Sequence, residues 1–257
     1  MGKNVILSAV VGYSYDKIDL FLSSALRNTS ADVILIASKT SPQLRHQLLS
    51  SPRVKLVTID FQGELTEMVF RRFFIAKEIL TKIEADEVLL SDARDVYFQS
   101  DPFGIEGIVF AEEPQLIASC QVNSSWVKKY LGEDEYQIIS SNPVLCAGTI
   151  LGQRLELISF LEHFTQKMSS LRSRQTDLAW GVDQACLNSM VWNTHSNPTY
   201  KTSRNYQGFA LTLFHEQSFL INAEGRLINR DRSIIPVIHQ YDRFPWLAQH
   251  LRTFIPS

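Results

Sequence analysis

Residues 87–103 read EVLLSDARDVYFQSDPF. Val88, Leu89 and Leu90 form a short apolar run, as expected of a strand buried on both faces of a parallel sheet. The run stops abruptly at Ser91, Asp92, Ala93, Arg94 and Asp95. Carboxylates at the tip of such a strand place hard oxygen atoms at the sheet's carboxyl edge, where open α/β sheets bind their ligands. Two neighbouring carboxylates repel, so they call for a cation or an arginine between them. A charged turn closed by an internal Asp–Arg pair, with no ligand, satisfies the same pattern.

Upstream of this stretch, strands and helices alternate. Residues 4–11 (NVILSAVV) read as a buried strand ended by Gly12. Residues 16–27 carry Ile18, Phe21, Leu22 and Ala25 at helical spacing. A strand is expected at 33–37, then a short helix opened by Ser41 with Pro42 at its first position. A third strand is expected at 54–59. A long helix is expected at 64–83, its apolar face made by Leu65, Val69, Phe73, Ala76, Leu80 and Ile83. This βαβ alternation implies an α/β fold around a mostly parallel sheet. Downstream the pattern loosens. Strands are expected at 115–119 and 145–151, with a polar, irregular stretch at 120–144 between them. Helices follow at 155–168 and 177–192, separated by a polar break at 171–176. Short β-like pieces lie at 210–214, 219–222 and 234–241, before a last helix at 245–251.

Composition excludes several classes. The chain has 257 residues, of which 45% are hydrophobic and 20% charged, an ordinary globular balance that fits one domain. Two halves are expected, 1–103 and 104–257, because the pattern of elements changes after Phe103. A net charge of −2 gives no basic field for nucleic acid. No apolar run approaches the roughly 20 residues that span a bilayer. The N-terminus reads as a first strand rather than a leader. Cys120, Cys146 and Cys186 lack the spacing of a disulfide framework or a zinc site and suggest a reducing compartment. A cytoplasmic protein, able to sit at a membrane periphery, is the expectation.

Four motifs between residues 5 and 243 then carry a resemblance. Asp92-Ala93-Arg94-Asp95-Val96-Tyr97-Phe98-Gln99, followed by Asp101-Pro102-Phe103, is similar to the Asp-x-Asp segment of GT-A type glycosyltransferases. It is closest to the retaining glycogenin/galactosyltransferase group, in a variant reading RDVxFQxDPF. Cys146-Ala147-Gly148-Thr149 resembles that group's Asn-x-Gly element at the sugar site. Asp183-Gln184-Ala185-Cys186-Leu187-Asn188 resembles its DQxxLN helix. Ile238-His239-Gln240-Tyr241-Asp242-Arg243 falls where that group carries a metal-binding histidine. The resemblance implies a GT-A fold and transfer of a hexose from a nucleoside diphosphate sugar, with UDP the expected nucleotide, to a glycan or lipid-linked acceptor. It further implies retention of configuration and dependence on Mn²⁺ or Mg²⁺. A catalytically silent GT-A-like domain that binds a glycan or a protein partner is the alternative. A sugar-1-phosphate nucleotidyltransferase fits poorly, because Val10-Val11-Gly12-Tyr13 lacks a Gly-rich, Arg-containing loop.

The resemblance assigns roles residue by residue. Asp95 and His239 are the expected metal ligands, with Asp92 a third. Asp92 stands one residue earlier than the group's first Asp. Side chains three apart on an extended strand point opposite ways, so Asp92 joins Asp95 only if the chain turns at Ala93-Arg94. Otherwise Asp92 would bind ribose hydroxyls or orient Arg94. Tyr13 and Tyr15 are placed at the base. Arg72 is placed at the nucleotide sugar or in a pair with Asp92 or Asp95. Arg243 is placed at the phosphates, and Gly148 where the backbone approaches the sugar. Asp183 is expected to recognise sugar hydroxyls and Gln184 to position the sugar. Residues 120–144 are expected to face the acceptor, with Trp126 either stacked on a sugar ring or in the core.

Overall fold

The computed structural model describes residues 3–38, 40–174, 179–193 and 200–255. Its centre is a seven-stranded sheet in the order β3-β2-β1-β4-β7-β6-β8. The strands are β1 (Val5–Ala9), β2 (Asp32–Ala37), β3 (Val54–Thr58), β4 (Glu87–Ser91), β6 (Ile108–Leu116), β7 (Pro143–Gln153) and β8 (Tyr200–Ser203). Neighbours are parallel from β3 through β4 and again between β6 and β8; β7 alone runs against both its partners. The molecule is therefore α/β with a mostly parallel central sheet. A second, three-stranded sheet pairs β5 (Val96–Phe98) with β10 (Val237–His239) and β9 (Ala210–Thr212).

The apolar runs are continuous because both faces of the sheet are covered. Leu7, Ile36 and Leu90 point to one face, where they meet Phe73 and Phe164. These rings come from α3 (Leu65–Leu80) and α6 (Arg154–Arg172). Ile6, Leu35 and Leu89 alternate to the other face, against Phe21 and Leu22. Those belong to α1 (Asp19–Asn28), which also holds the small sheet: Ser24 Oγ accepts from Phe98 N at 3.0 Å. The α2 helix (Pro42–Leu48) starts as expected, Ser41 Oγ accepting from Leu44 N at 3.1 Å. The last helix, α8 (Pro245–Arg252), closes over the small sheet through Leu247 and Leu251.

Several expectations downstream of residue 103 change. The strand expected at 115–119 is misplaced: β6 runs from Ile108 to Leu116, overlapping it only at its end, and 117–119 form a 3-10 turn. The stretch 120–144, expected to be irregular, folds as α4 (Gln121–Leu131) and α5 (Glu133–Ile139). Most of its polar residues lie on the solvent faces of two short helices whose Val127, Tyr130 and Ile139 are buried. The α7 helix spans Val182–Asn193; residues 177–178 of the helix expected there, and part of the polar break before it, lie outside the described residues. At 219–222 only Ile221 forms an isolated bridge, to Leu227. Strands β5 and β8 were not anticipated, being too short to show a period before their partners are known. Among the described residues no helix is long and apolar enough to cross a membrane.

Candidate functional site

The chain bends at Ala93–Asp95 immediately after β4. That bend is what lets Asp92 and Asp95 face one point despite their spacing. The third member arrives through register. In the small sheet β10 runs antiparallel to β5 with His239 opposite Val96, the residue after Asp95. Gln240 N donates to Asp95 O at 2.7 Å and locks that register. His239 Nε2 then lies 3.5 Å from Asp92 Oδ2 and 3.7 Å from Asp95 Oδ1. Candidate ligand atoms of the three residues all lie within 4.8 Å of one another. His239 is buried, and among the described residues its Nε2 has no hydrogen-bond partner. A buried ring nitrogen left unpartnered beside two carboxylates is the donor set of a hard or borderline divalent cation.

Charge supports the same conclusion. The ion-paired network holds four carboxylates (Asp92, Asp95, Asp183, Asp242) and two arginines, Arg72 and Arg94. The excess negative charge falls to His239 or to a bound cation. Burial opposes charge on His239, yet the Cys146 sulfur, Asp95 and Asp92 outweigh it and push its pKa well above the usual value. A cation would take the place of that proton. Burial also pushes Asp95 up, helped by Asp92 and Asp242 and opposed by His239. Burial acts on Asp92 in the same direction, but Arg72 and His239 prevail and hold its carboxyl well below the ordinary range. The far nitrogen of His239, Nδ1, sits 3.3 Å from Cys146 Sγ, which orients the ring.

Strand β7 supplies the room. Asp92 N donates to Gly148 O at 2.9 Å, so Gly148 stands directly beside the cluster. A Cβ at 148 would lie 2.4 Å from His239 Cε1 and 2.5 Å from Asp92 Oδ2. The crowding that demands a glycine thus comes from two of the candidate ligands.

Arg72 bridges the cluster to α7. One guanidinium nitrogen donates to Asp92, the other to Asp183 Oδ2 at 2.8 Å and to Ala147 O at 3.3 Å. Of the pairings expected for Arg72, that with Asp92 forms; Asp95 is paired with Arg94 instead, at 3.7 Å. Asp183 is buried, and its Oδ1 accepts from Gln184 N at 2.9 Å. The Gln184 amide is fully engaged: Oε1 accepts from Ala147 N at 3.3 Å, and Nε2 donates to Glu113 Oε1 at 2.9 Å and Asn123 Oδ1 at 2.8 Å.

These groups line a cleft of about 400 Å³ at the carboxyl edge of β1 and β4. Tyr13, Arg72, Asp92, Asp95, Gly148 and Asp183 all face it. So do Gln184, His239 and Arg243, the last an exposed guanidinium 5.4 Å from the Phe214 ring. Tyr15 does not line it; it begins a 3-10 turn and packs against the core beneath α1. Of residues 120–144, expected to face the acceptor, Trp126 alone reaches the cleft wall. Three participants escaped sequence reasoning. Glu113, buried in β6, holds Gln184, and burial raises its pKa to about 7. Asn123 shares that task from α4. Trp180 stands at the cleft mouth. An acid inside an otherwise apolar run, as Glu112-Glu113 is within IVFAEEPQL, was the available signal for Glu113. Neither a scan against protein-family models nor a search of curated proteins finds a match to this chain.

Proposed function

We propose that the chain is a GT-A type glycosyltransferase that moves a hexose from a nucleoside diphosphate sugar, with UDP the expected nucleotide, onto a glycan or lipid-linked acceptor. The observation that carries this reading is the meeting of Asp92, Asp95 and the unpartnered Nε2 of His239 at the carboxyl edge of a mostly parallel sheet. These three residues would hold Mn²⁺ or Mg²⁺, which would supply positive charge to the departing diphosphate. Arg243, exposed at the cleft, and Arg94, 45% exposed in its side chain, add cations on the same side. Unit charges 4 Å apart are worth about 1 kcal/mol in water and about 4 at an effective dielectric of 20, so a shielded cleft multiplies each contribution. Tyr13, beside the carboxylates, offers a ring for the base. Asp183 keeps its carboxylate near the sugar through Arg72, and Gln184 acts by fixing the wall at Ala147. Retention of configuration belongs to the resemblance alone.

One observation favours the silent-domain reading: Asp183 and Gln184, the expected chemical pair, are both engaged by protein partners. The two readings separate in a thermal-shift panel of UDP, GDP, CMP and their sugars, with and without Mn²⁺, because ligands stabilise by mass action. The transferase reading expects a Mn²⁺-dependent shift with one nucleotide, lost in Asp95→Ala and His239→Ala, and slow hydrolysis of the matching sugar nucleotide. No shift and no turnover across the panel would leave the binding domain.

A further inference from the structure

The cleft has an apolar wall that the metal cluster and the β1 side do not use. Trp126 on α4 and Trp180 just before α7 both line it, and Trp180 is 57% exposed. Lone exposed aromatics are ordinary; here the Gly181 turn fixes the Trp126 ring and the backbone of Trp180. Gly181 has a φ of 85°, and a Cβ there would lie 2.0 Å from Trp126 Cδ2 and 2.3 Å from Cε2. Only glycine permits both that turn and that contact. The turn is held at its other side by Tyr130, whose hydroxyl donates to Trp180 O at 3.1 Å. Two indoles thus line the side of the cleft that also holds Asp183 and Gln184.

We propose that Trp126 and Trp180 form the acceptor subsite, and that the acceptor group bound there is a pyranose ring rather than a lipid chain. The inference deepens the transferase reading and rests on it for the word acceptor, but not for the binding itself. A pyranose presents a flat C–H face and a rim of hydroxyls. It needs an aromatic wall with polar groups at its edge, which is the arrangement of amphipathic aromatic sites. Here the indoles supply the wall, while Asp183, Arg72 and the half-exposed Asp92 supply the edge. An alkyl chain would meet charged side chains instead of a continuous apolar tunnel. A nucleobase has its own ring at the β1 end, where Tyr13 lies beside Leu65.

Tryptophan fluorescence of the intact protein tests this, with methyl glycosides of glucose, galactose, mannose and N-acetylglucosamine, their disaccharides, and n-octanol as the alkyl probe. Each titration is run with and without UDP and Mn²⁺. At least one glycoside should quench the indole emission, and Trp180→Ala should weaken its binding about tenfold while UDP–Mn²⁺ affinity is unchanged. Trp126→Phe, which keeps a ring against Gly181, should weaken it less. A silent response to every glycoside, quenching by n-octanol alone, or a Trp180→Ala variant that loses UDP equally would each overturn the subsite. Glycoside binding without any nucleotide binding would instead keep the subsite and remove the donor reading.

Discussion

The two sides of the cleft differ in how their polar groups are spent. On the β4–β10 side, Asp92, Asp95 and His239 converge with a buried ring nitrogen unpartnered and negative charge in excess. On the α7 side, Asp183 and Gln184 have protein partners at every polar atom that faces inward. The first is an arrangement that gains from a cation; the second is already rigid and shapes a wall. Arg72 is ion-paired to both. The contrast suggests that reactivity belongs to the charge-rich side and recognition to the saturated one.

The largest test of that contrast is Arg72→Met. It strands Asp92 and Asp183 without their shared cation, and stranding a buried charge costs about 3–5 kcal/mol. With the Asp92 side chain 32% exposed, the lower end is expected, about 3 kcal/mol by urea unfolding at neutral pH. Saturating Mn²⁺ should return part of it, by compensating Asp92. Recovery of none would separate Asp92 from the cation site.

Glu113→Gln comes next and probes the saturated side. The folded protein holds the Glu113 proton up to about pH 7, whereas an unfolded chain releases it near the ordinary value of 4.5. The native state therefore binds more protons between those values, and stability falls as pH rises through that window and levels off above it. The full loss is about 3–4 kcal/mol at roughly 1.4 kcal/mol per pH unit, of which about 2–3 falls between pH 5 and pH 8. Glutamine keeps an acceptor for Gln184 Nε2 and does not ionise. Thermal melts at pH 5 and pH 8 should show the wild type weaker at pH 8 and a smaller fall in the variant, which keeps the part that comes from His239. Parallel pH profiles would mean that Glu113 does not ionise alone in that pocket.

Gly148→Ala should have the smallest effect on folding and a selective one on the site. Its methyl would press on His239 and Asp92. Overpacking of this kind costs about 1–3 kcal/mol. Calorimetric titration with Mn²⁺ should show affinity reduced about tenfold or more, in line with losses on disturbing ligand orientation. Unchanged Mn²⁺ affinity would move the cation site away from β7.

Much of the parallel half was legible because its signals are local. β1, β2 and β4 hold runs of consecutive apolar residues, and α1 and α3 show their faces at helical spacing. The second half was harder to read. α4 and α5 carry enough solvent-facing Lys, Glu and Ser to hide Val127, Tyr130 and Ile139. β5 and β8, of three and four residues, have too few positions for a period. In the site, Asp92, Asp95 and His239 were each visible as residue types, but whether Asp92 shared a point with Asp95 depended on a bend that no residue spacing encodes.

Sequence alone determined the α/β class, the buried strand ending in carboxylates, and the set of side chains able to bind a cation. Those follow from burial and periodicity, which act between residues close in the chain. Tertiary structure decided which of them meet. The pairing of β10 with β5 carries His239 to Asp95, α3 delivers Arg72 between Asp92 and Asp183, and the Gly181 turn presses Trp126 into a wall. Each is a contact between segments far apart in the chain, set by strand register and by helix packing on a shared sheet, and neither is written in any one stretch.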